Sequence, residues 1–358
     1  MKIAFLSIYN GRVERGSEGF VTEMALRLSQ KHSIHVFQTG NTSGASYHVY
    51  KITPVPFFPH QGGRRYGYAE NIFRSTCYPI IVLWFTLLCI PDLIRNRYDW
   101  VIPINGGWQV LICRILRTIT GCKILISGHA GVGRDDWLNI SIGKPNIFVA
   151  LSPRAEKWAK KFKQPFLVHY IPNGVDIKKF NPDGPKVHLN LNKPVLLCVS
   201  QLIPYKRVDF LIRSVSLIKE LNFLIIGDGP LSSDIDLLGK RLLGSRYERI
   251  SSASHSQIPA YYRSVDFFSL PSVDTEAFGL VYLEALSSNL PVIAPDDDNR
   301  RIIIGEAGTY FHSDNQESCV NALKLALSKN WGNLPRKQAE KFTWDKITLE
   351  YEKLLKAD

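Results

Sequence analysis

Residues 265–294 read VDFFSLPSVDTEAFGLVYLEALSSNLPVIA, and this stretch decides the architecture that we expect for the chain. The apolar run VDFFSL (265–270) suits a buried strand, a helix begins near Gly279, and PVIA (291–294) is again strand-like. Strands that alternate with helices predict a parallel sheet covered on both faces. The stretch is therefore predicted to be one strand–helix–strand unit of an α/β domain.

The same alternation runs through most of the chain. Strand-like apolar runs lie at 2–8, 33–37, 99–104, 123–127, 146–151, 166–171, 194–200 and 222–227. Helix-like segments lie at 18–30, 71–97, 107–119, 207–219, 231–242 and 342–355. The turn-rich segment IPNGVDIKKFNPDGP (171–185) separates two series, and a chain of 358 residues suits two domains. We expect an N-terminal domain over 1–180, onto which a helix at 343–358 packs back, and a C-terminal domain over 190–342.

The composition restricts the class of partner. The net charge of +12 favours an acidic partner, namely nucleic acid, an anionic membrane surface or a phosphorylated substrate. The apolar share of 45% suits globular cores. Six scattered cysteines without a CxxC pair disfavour zinc or a redox dithiol and predict buried free thiols in a reducing cytosol. The N-terminal MKIAFLSIYNG predicts a first strand rather than a signal peptide.

The longest apolar run is CYPIIVLWFTLLCI, residues 77–90. Its 14 residues fall short of the roughly 20 that a bilayer span needs, so a buried helix is our first interpretation. The basic residues Arg74, Arg95 and Arg97 nearby favour an alternative, a helix that lies in a membrane surface.

Glu284 is the only charged residue between Ala277 and Pro295. On a helix it shares a face with apolar residues, where a carboxylate is costly unless something pairs with it. A carboxylate can hold two hydroxyls of a ribose, and Glu276 in the preceding loop is placed to contact a ligand. The alternative is that both glutamates form structural ion pairs.

Other motifs follow predicted strands, where ligands bind in doubly wound sheets. Lys206 and Arg207 lie at a helix start, which suggests a phosphate clamp, although ordinary surface charge is the alternative. The glycine turn IIGDGP (225–230) and Gly16 near the first helix suggest close backbone approach to a ligand. His129 follows the strand KILIS, a position that favours a functional over a structural histidine.

Two acidic runs have several possible roles. Asp135–Asp136 with Arg134 could contact an acceptor or cap a helix. They and Asp296–Asp298 could also ligate a hard cation, but solvation in loops is the more common role for such runs.

Taken together, these motifs resemble the family 4 retaining glycosyltransferases. The resemblance rests on TEAFGLVYLEAL (275–286), with VSQLIPYKRVDFLI, IIGDGP, PVIAPDDDNR, IPNGVD and the closing FTW. It implies the GT-B fold, in which two Rossmann-like doubly wound domains face each other across a cleft. It also implies that Glu284 binds the donor's ribose and that Glu276 contacts the transferred sugar. The backbone amides of Phe278, Gly279 and Leu280 would approach the diphosphate.

The resemblance assigns further residues and shows departures. Lys206 resembles the diphosphate lysine, His129 the histidine near the reacting sugar, and Gly16 one glycine of an N-terminal Gly-Gly loop. Gln201 stands where the family commonly has an arginine, so part of the diphosphate clamp is missing. Arg207 could supply that charge.

Two arginines are further candidates for the missing charge. They are Arg300 and Arg15, and Arg15 replaces the first glycine of the loop. Asn289 stands where a glycine often precedes the Pro-Val strand, and asparagine tolerates the left-handed conformation.

The resemblance thus implies a retaining transferase. It would move a sugar from a nucleotide diphosphate, with UDP favoured and GDP open, to a glycan or lipid-linked acceptor in cell-envelope or polysaccharide biosynthesis. We expect no cofactor or obligatory metal, no nucleic-acid partner, and a cytoplasmic location that includes the inner membrane face as an alternative. Two rivals remain, a GT-B sugar-nucleotide epimerase and a non-catalytic basic protein that binds a membrane surface.

Overall fold

A computed structural model describes residues 1–13, 16–42, 44–56, 77–129, 131–163, 165–273 and 278–357. Within these ranges the chain divides into two compact units. Residues up to Asn173 and those from Trp344 form the first, and Gly174–Thr343 form the second. The second unit begins before the expected start at 190 because the turn around Phe180 is bound to it: the Phe180 carbonyl accepts hydrogen bonds from Ser287 and Arg336.

The first unit contains a parallel sheet of seven strands in the order β3-β2-β1-β4-β5-β6-β7. The strands are β1 Lys2–Leu6, β2 Ser33–Gln38, β3 His48–Lys51, β4 Trp100–Pro103, β5 Lys123–Ser127, β6 Ile147–Ala150 and β7 Leu167–Tyr170. The helices are α1 Gly16–Leu28, α2 Tyr78–Asn96, α3 Trp108–Thr120, α4 Arg134–Gly143 and α5 Pro153–Ala159. The strand order reverses between β1 and β4, so the sheet is doubly wound.

The second unit repeats this plan with six parallel strands in the order β10-β9-β8-β11-β12-β13. The strands are β8 Val195–Val199, β9 Asn222–Ile226, β10 Tyr247–Ile250, β11 Phe267–Ser269, β12 Val292–Pro295 and β13 Gly308–Phe311. The helices are α6 Val208–Ser216, α7 Ser232–Leu243, α8 Ile258–Ser264, α9 Leu280–Ser287, α10 Asp298–Ile304, α11 Gln316–Ser328 and α12 Leu334–Ala339. This is the Rossmann strand order, and its reversal lies between β8 and β11.

The predicted doubly wound α/β architecture is confirmed in both units. The sequence analysis missed three strands, namely β3, β10 and β13. They are only four residues long and partly exposed, so they lack the continuous apolar run that marks a strand buried on both faces.

The cysteines were expected to be buried free thiols, and this holds for all but one of them. All six are free, and five are buried, whereas Cys77 at the start of α2 is exposed. Burial raises the pKa of Cys198 to about 12 and of Cys319 to about 11, so these thiols stay protonated at neutral pH.

Helix α2 has 19 residues because it continues through Pro91 to Asn96. It packs against α3 and buries Phe85, Cys89 and Leu93 among its neighbours. A second row of its apolar side chains is exposed: Ile80, Trp84, Leu87 and Ile94. Among the described residues it is the one helix long and apolar enough, by length and composition, to cross a membrane. One face of the helix is therefore buried and another is exposed. The helix is neither fully buried, as first expected, nor exposed along its whole surface.

The last helix, α13 (Trp344–Ala357), belongs to the first unit, where it packs against α1. Its Glu352 carboxylate, 8% exposed, pairs with Lys31 at 3.1 Å, with His32 at 3.2 Å and with Lys356 at 2.6 Å. The hydrogen bond from Lys356, to which Lys31 adds, lowers the pKa of Glu352 to about 2 although burial opposes this. The ionised carboxylate therefore ties α13 to the residues that follow α1.

Replacing this carboxylate should weaken the first unit in a pH-dependent way. We expect Glu352→Gln to lower the free energy of unfolding by about 1 kcal/mol at pH 7. Because the folded pKa is depressed, the contribution is complete above the unfolded value of 4.5 and is lost as pH falls towards 2. Urea unfolding between pH 7 and pH 3 measures this. Glu350→Gln, at an exposed pair with Lys353, is the control. A deficit in Glu352→Gln that does not change with pH would contradict the assignment.

Candidate functional site

The strand-order reversal of the second sheet brings two loops together. The loop after β8 contains a short 3-10 turn, Pro204–Lys206, and the loop after β11 leads to α9. The backbone N–H of Val273 donates to the carbonyl of Tyr205 at 3.0 Å, which joins the two loops. Lys206 and the start of α9 thus lie at the same edge of the sheet, as the sequence predicts.

Gly279 precedes α9 with φ of 85°, a left-handed conformation that strains any residue with a Cβ. The backbone thus turns sharply into α9, with Phe278 buried before it and Leu280 as the first helical residue. The first N–H groups of α9 lack partners in the helix, so this end can receive an anion.

The glycines of IIGDGP allow a close approach between two loops of the second unit. A Cβ on Gly227 would lie 1.8 Å from the carbonyl oxygen of Ser200, and one on Gly229 would lie 2.5 Å from that of Leu202. Backbone hydrogen bonds join the same loops. These glycines allow the loops after β8 and β9 to pack together, and their approach to a ligand stays a prediction.

The Glu284 carboxylate lies on α9 with 14% of its side chain exposed. Tyr262 donates a hydrogen bond to Oε2 at 3.1 Å, and His255 Nε2 lies 3.7 Å from Oε1. Burial and the nearby Glu284 raise the pKa of Tyr262, so its hydroxyl remains a donor. The protein therefore pairs this carboxylate in part, and a carboxylate can accept several more hydrogen bonds.

Sequence reasoning missed His255, which lies next to Glu284, and Lys179, which contacts His255. Lys179 Nζ is 2.5 Å from His255 Nδ1, and the His255 ring packs edge-on against Phe180 at 5.7 Å. His255 follows β10, a strand that the sequence analysis missed, so no sequence signal marked this histidine.

The cationic residues near this edge of the sheet contact different groups. The ammonium of Lys206 lies 5.2 Å from the ring of Tyr205. Arg207, left-handed at φ 53°, donates to the carbonyl of Ser313 at 2.6 Å and to Asp314 at 2.9 Å. Gln201 lies half-buried in the loop after β8. Its role and those of Lys206 and Arg207 remain predictions.

Arg300 is buried and bound on all sides by protein. Its guanidinium donates to Tyr282 Oη at 3.0 Å, to the carbonyl and hydroxyl of Ser272 at 2.7 and 2.9 Å, and to Asp297. Burial would lower its pKa, but Tyr282 and Asp297 outweigh this, so the pKa is raised and the charge is kept. The suggestion that Arg300 supplies the missing diphosphate charge is therefore wrong. It fixes the backbone that leads towards residues 274–277.

His129 follows β5 in the first unit, and its ring contacts Phe20 of α1 at 4.6 Å. Burial lowers the pKa of His129 to about 4, so the imidazole is neutral at physiological pH. Its Nε2 is buried and has no hydrogen-bond partner among the described residues, which suits a group that meets a ligand. Gly16 is the exposed first residue of the same α1, so the structure brings these two predicted positions to one region.

Some predicted residues lie outside the described ranges or have structural partners. Glu276 and Arg15 lie outside the described residues. Asp296 pairs with Arg301, and Asp297 caps α10 through the N–H of Arg300 at 2.9 Å. Within the part of the chain that the structure describes, no group of three or more His, Cys, Asp or Glu side chains could hold a metal ion.

Asn289 has φ of 63°, which confirms that it adopts the left-handed conformation expected of a glycine substitute. Its side-chain amide also joins two segments of the second unit. Nδ2 donates to the carbonyl of Gly332 at 2.9 Å, and Oδ1 accepts from the N–H of Arg336 at 3.2 Å. Asparagine therefore adds contacts here that a glycine lacks.

Residues 181–343, nearly all of the second unit, match the family described as glycosyl transferases group 1. This match covers 163 of the 358 residues, so the similarity to this family is one of the second unit. The predicted resemblance to a glycosyltransferase family is thereby confirmed. The family segment contains Gln201, Lys206, Arg207 and Glu284, while His129 and Gly16 lie in the other unit.

Curated relatives of this chain include two named enzymes. The chain is 28% identical to a sulfoquinovosyl transferase of Arabidopsis thaliana over 49% of its own length and 37% of the relative's. It is 25% identical to a GDP-mannose-dependent alpha-(1-6)-phosphatidylinositol monomannoside mannosyltransferase of Mycolicibacterium smegmatis, over 47% of its own length and 49% of the relative's. The chain thus spans half or less of the length of these relatives.

Solved structures share the fold over the whole chain. Sucrose-phosphate synthase from Thermosynechococcus elongatus superposes with a TM-score of 0.78 at 19% identity, and covers 100% of both chains. HepE of Anabaena, in complex with UDP and glucose, superposes with a TM-score of 0.74 at 16% identity, also over 100% of both chains. The predicted GT-B fold is thereby confirmed.

Proposed function

We propose that this chain is a retaining glycosyltransferase that moves a sugar from a nucleoside-diphosphate donor to a glycan or lipid-linked acceptor. The observation that carries the proposal is the Glu284 carboxylate, which lies on the first helix after the strand-order reversal and has acceptor capacity beyond Tyr262. A carboxylate in that position suits the two hydroxyls of a ribose. The group 1 match over residues 181–343 covers this site.

The chemistry follows from where charge develops. When the sugar leaves, the diphosphate gains negative charge, which Lys206 and the N–H groups at the start of α9 would stabilise. Glu276 and Glu284 are not proposed as a glycosidase-type carboxylate pair, because Glu284 is assigned to the ribose. We therefore infer front-face attack with retention, with no enzyme nucleophile and no obligatory metal.

Replacing Glu276 tests the assignment to the transferred sugar. Glu276→Ala should lower sugar transfer at least about 100-fold, because a charge-assisted contact to the reacting sugar is lost, while the affinity for free nucleotide changes little. Radiolabelled transfer and nucleotide calorimetry measure the two effects. Glu306→Ala, at an exposed glutamate of the second unit, is the control. NMR of the product reports the anomeric configuration. Unchanged transfer in Glu276→Ala would reject the site, and an inverted anomeric centre would reject retention.

The donor is proposed to be a UDP-sugar, with a GDP-sugar as the competing choice. HepE is solved with UDP, whereas the mycobacterial relative is named as GDP-mannose-dependent. Binding of radiolabelled UDP- and GDP-sugars to the purified chain decides between them. Incubation with donor alone also tests the epimerase alternative, because an epimerised sugar nucleotide would contradict the transferase proposal.

We further propose that the protein is cytoplasmic and binds the inner face of the cytoplasmic membrane through α2. The exposed row Ile80, Trp84, Leu87 and Ile94 supports this, since a contiguous apolar face next to basic residues suits an anionic bilayer surface. Arg95 and Arg97, both exposed, follow the row, and the chain carries a net charge of +12. The mycobacterial relative's name specifies a phosphatidylinositol-based acceptor, which fits a lipid-linked substrate.

Leu87→Ser should weaken vesicle binding about tenfold, because a leucine that enters the interface contributes on the order of 1.5 kcal/mol. Sedimentation with phosphatidylglycerol-containing vesicles measures this. Leu237→Ser, at an exposed leucine of α7 in the second unit, is the matched control and should bind like the wild type. Equal binding by both variants would reject α2 as the contact, and no binding by the wild type would reject the surface altogether.

A further inference from the structure

Lys179, His255 and Glu284 lie in a row in the second unit, and we call them the Lys–His–Glu array. Their positions come from three segments: the turn before β8, the loop after β10 and helix α9. Asp176 holds the first segment, because its Oδ1 accepts the backbone N–H groups of Lys178 at 2.9 Å and of Lys179 at 3.1 Å. These hydrogen bonds fix the backbone of the turn that carries Lys179.

The lysine determines the tautomer of the histidine. An ammonium group only donates hydrogen bonds, so Nδ1 of His255, 2.5 Å from Lys179 Nζ, is the acceptor and carries no hydrogen. The ring hydrogen of the neutral imidazole is then on Nε2. That nitrogen lies 3.7 Å from Glu284 Oε1, which is too far for a good direct hydrogen bond.

A donor and an acceptor thus lie 3.7 Å apart, so that one atom beside the pair can contact both. A hydroxyl can fill such a position, because its oxygen accepts from Nε2–H while its hydrogen is donated to Oε1. An amine that only donates, or a carbonyl that only accepts, satisfies just one side. The His255 side chain is 42% exposed, so a ligand can reach this position.

We propose that His255 and Glu284 together bind one ribose hydroxyl of the nucleoside diphosphate, with Lys179 holding the imidazole in the required tautomer. The inference rests on the proposed function and deepens it. It makes His255 a specificity-determining residue that selects a ribonucleotide over the deoxynucleotide that lacks the shared hydroxyl. Phe180, edge-on to the ring, and Tyr262, on the other carboxylate oxygen, keep the two groups in place.

The test compares nucleotides that differ by one hydroxyl. Isothermal calorimetry of the full chain with UDP and GDP, and with the 2′-deoxy and 3′-deoxy forms of each, gives the affinity lost with each hydroxyl. His255→Phe should bind the ribonucleotide about tenfold more weakly, the scale of one net hydrogen bond. It should bind one of the two deoxy forms as the wild type does. His255→Gln keeps an N–H near the position of Nε2 and should stay within about threefold of the wild type.

The neighbouring lysines provide a matched pair. Lys179→Met releases the imidazole and should weaken ribonucleotide binding about threefold. Lys178→Met removes the same charge from the exposed adjacent residue and should have no effect. Equal losses for the ribonucleotide and both deoxy forms in His255→Phe would overturn the inference, as would unchanged ribonucleotide affinity. If the wild type binds neither UDP nor GDP, that result contradicts the proposed function and therefore also the inference that rests on it.

Discussion

Glu284→Gln should weaken the binding of a nucleoside diphosphate about 100-fold. The carboxylate is expected to accept two ribose hydroxyls, and a hydrogen bond to a charged group contributes about 1.5–3 kcal/mol, against about 1 kcal/mol for a neutral one. Glutamine keeps the size of the side chain but removes its charge and replaces one oxygen by a donor. Calorimetry with UDP and GDP measures the loss.

The control for this variant is an exposed glutamate of the same unit. Glu220→Gln removes the same charge at a surface position beyond α6 and should leave the affinity unchanged. Thermal unfolding without ligand should be similar for both variants. Nucleotide affinity that is equal in Glu284→Gln and the wild type would show that this carboxylate serves only as the partner of Tyr262.

Arg300→Met should destabilise the second unit by about 3–5 kcal/mol. The arginine side chain is 3% exposed and forms hydrogen bonds to Asp297, Tyr282 and Ser272, so its removal leaves buried acceptors without a donor. Arg300→Lys keeps the charge but cannot reproduce the planar set of donors, so it should recover only part of the stability. Urea unfolding followed by tryptophan fluorescence gives these values.

The adjacent arginine is the matched control. Arg301 is exposed and pairs with Asp296, so Arg301→Met should unfold at the wild-type denaturant concentration. Sugar transfer adds a second readout. The folded Arg300→Lys variant should lose transfer activity, because Arg300 also binds the carbonyl of Ser272, four residues before Glu276 in the sequence. Full activity in this variant would limit Arg300 to a role in stability.

Much of the fold was readable from the sequence. The buried strands β1, β8 and β9 carry continuous apolar runs, and the left-handed Gly279 marks the start of α9. These features depend on a few neighbouring residues, so periodicity predicts them. The partly exposed β3 and β10 lack that pattern and were missed.

The site was predicted less completely. Lys206 was singled out because it lies at a helix start after a strand, and Glu284 because it is the only charged residue of an apolar segment. The partners of these side chains were not predictable in this way. Arg300 was expected to face a phosphate and instead binds buried protein groups.

The sequence by itself therefore determined the alternation of strands and helices, the backbone conformation of Gly279 and Asn289, and the isolation of Glu284 on an apolar helix. Only the tertiary structure decided what surrounds that carboxylate. Lys179 and His255 are 76 residues apart in the sequence. They meet because Ser287 and Arg336 bind the Phe180 carbonyl and hold the turn before β8 against the second unit. Local periodicity carries no information on such pairings, since it records which face of an element is buried and not which element covers it.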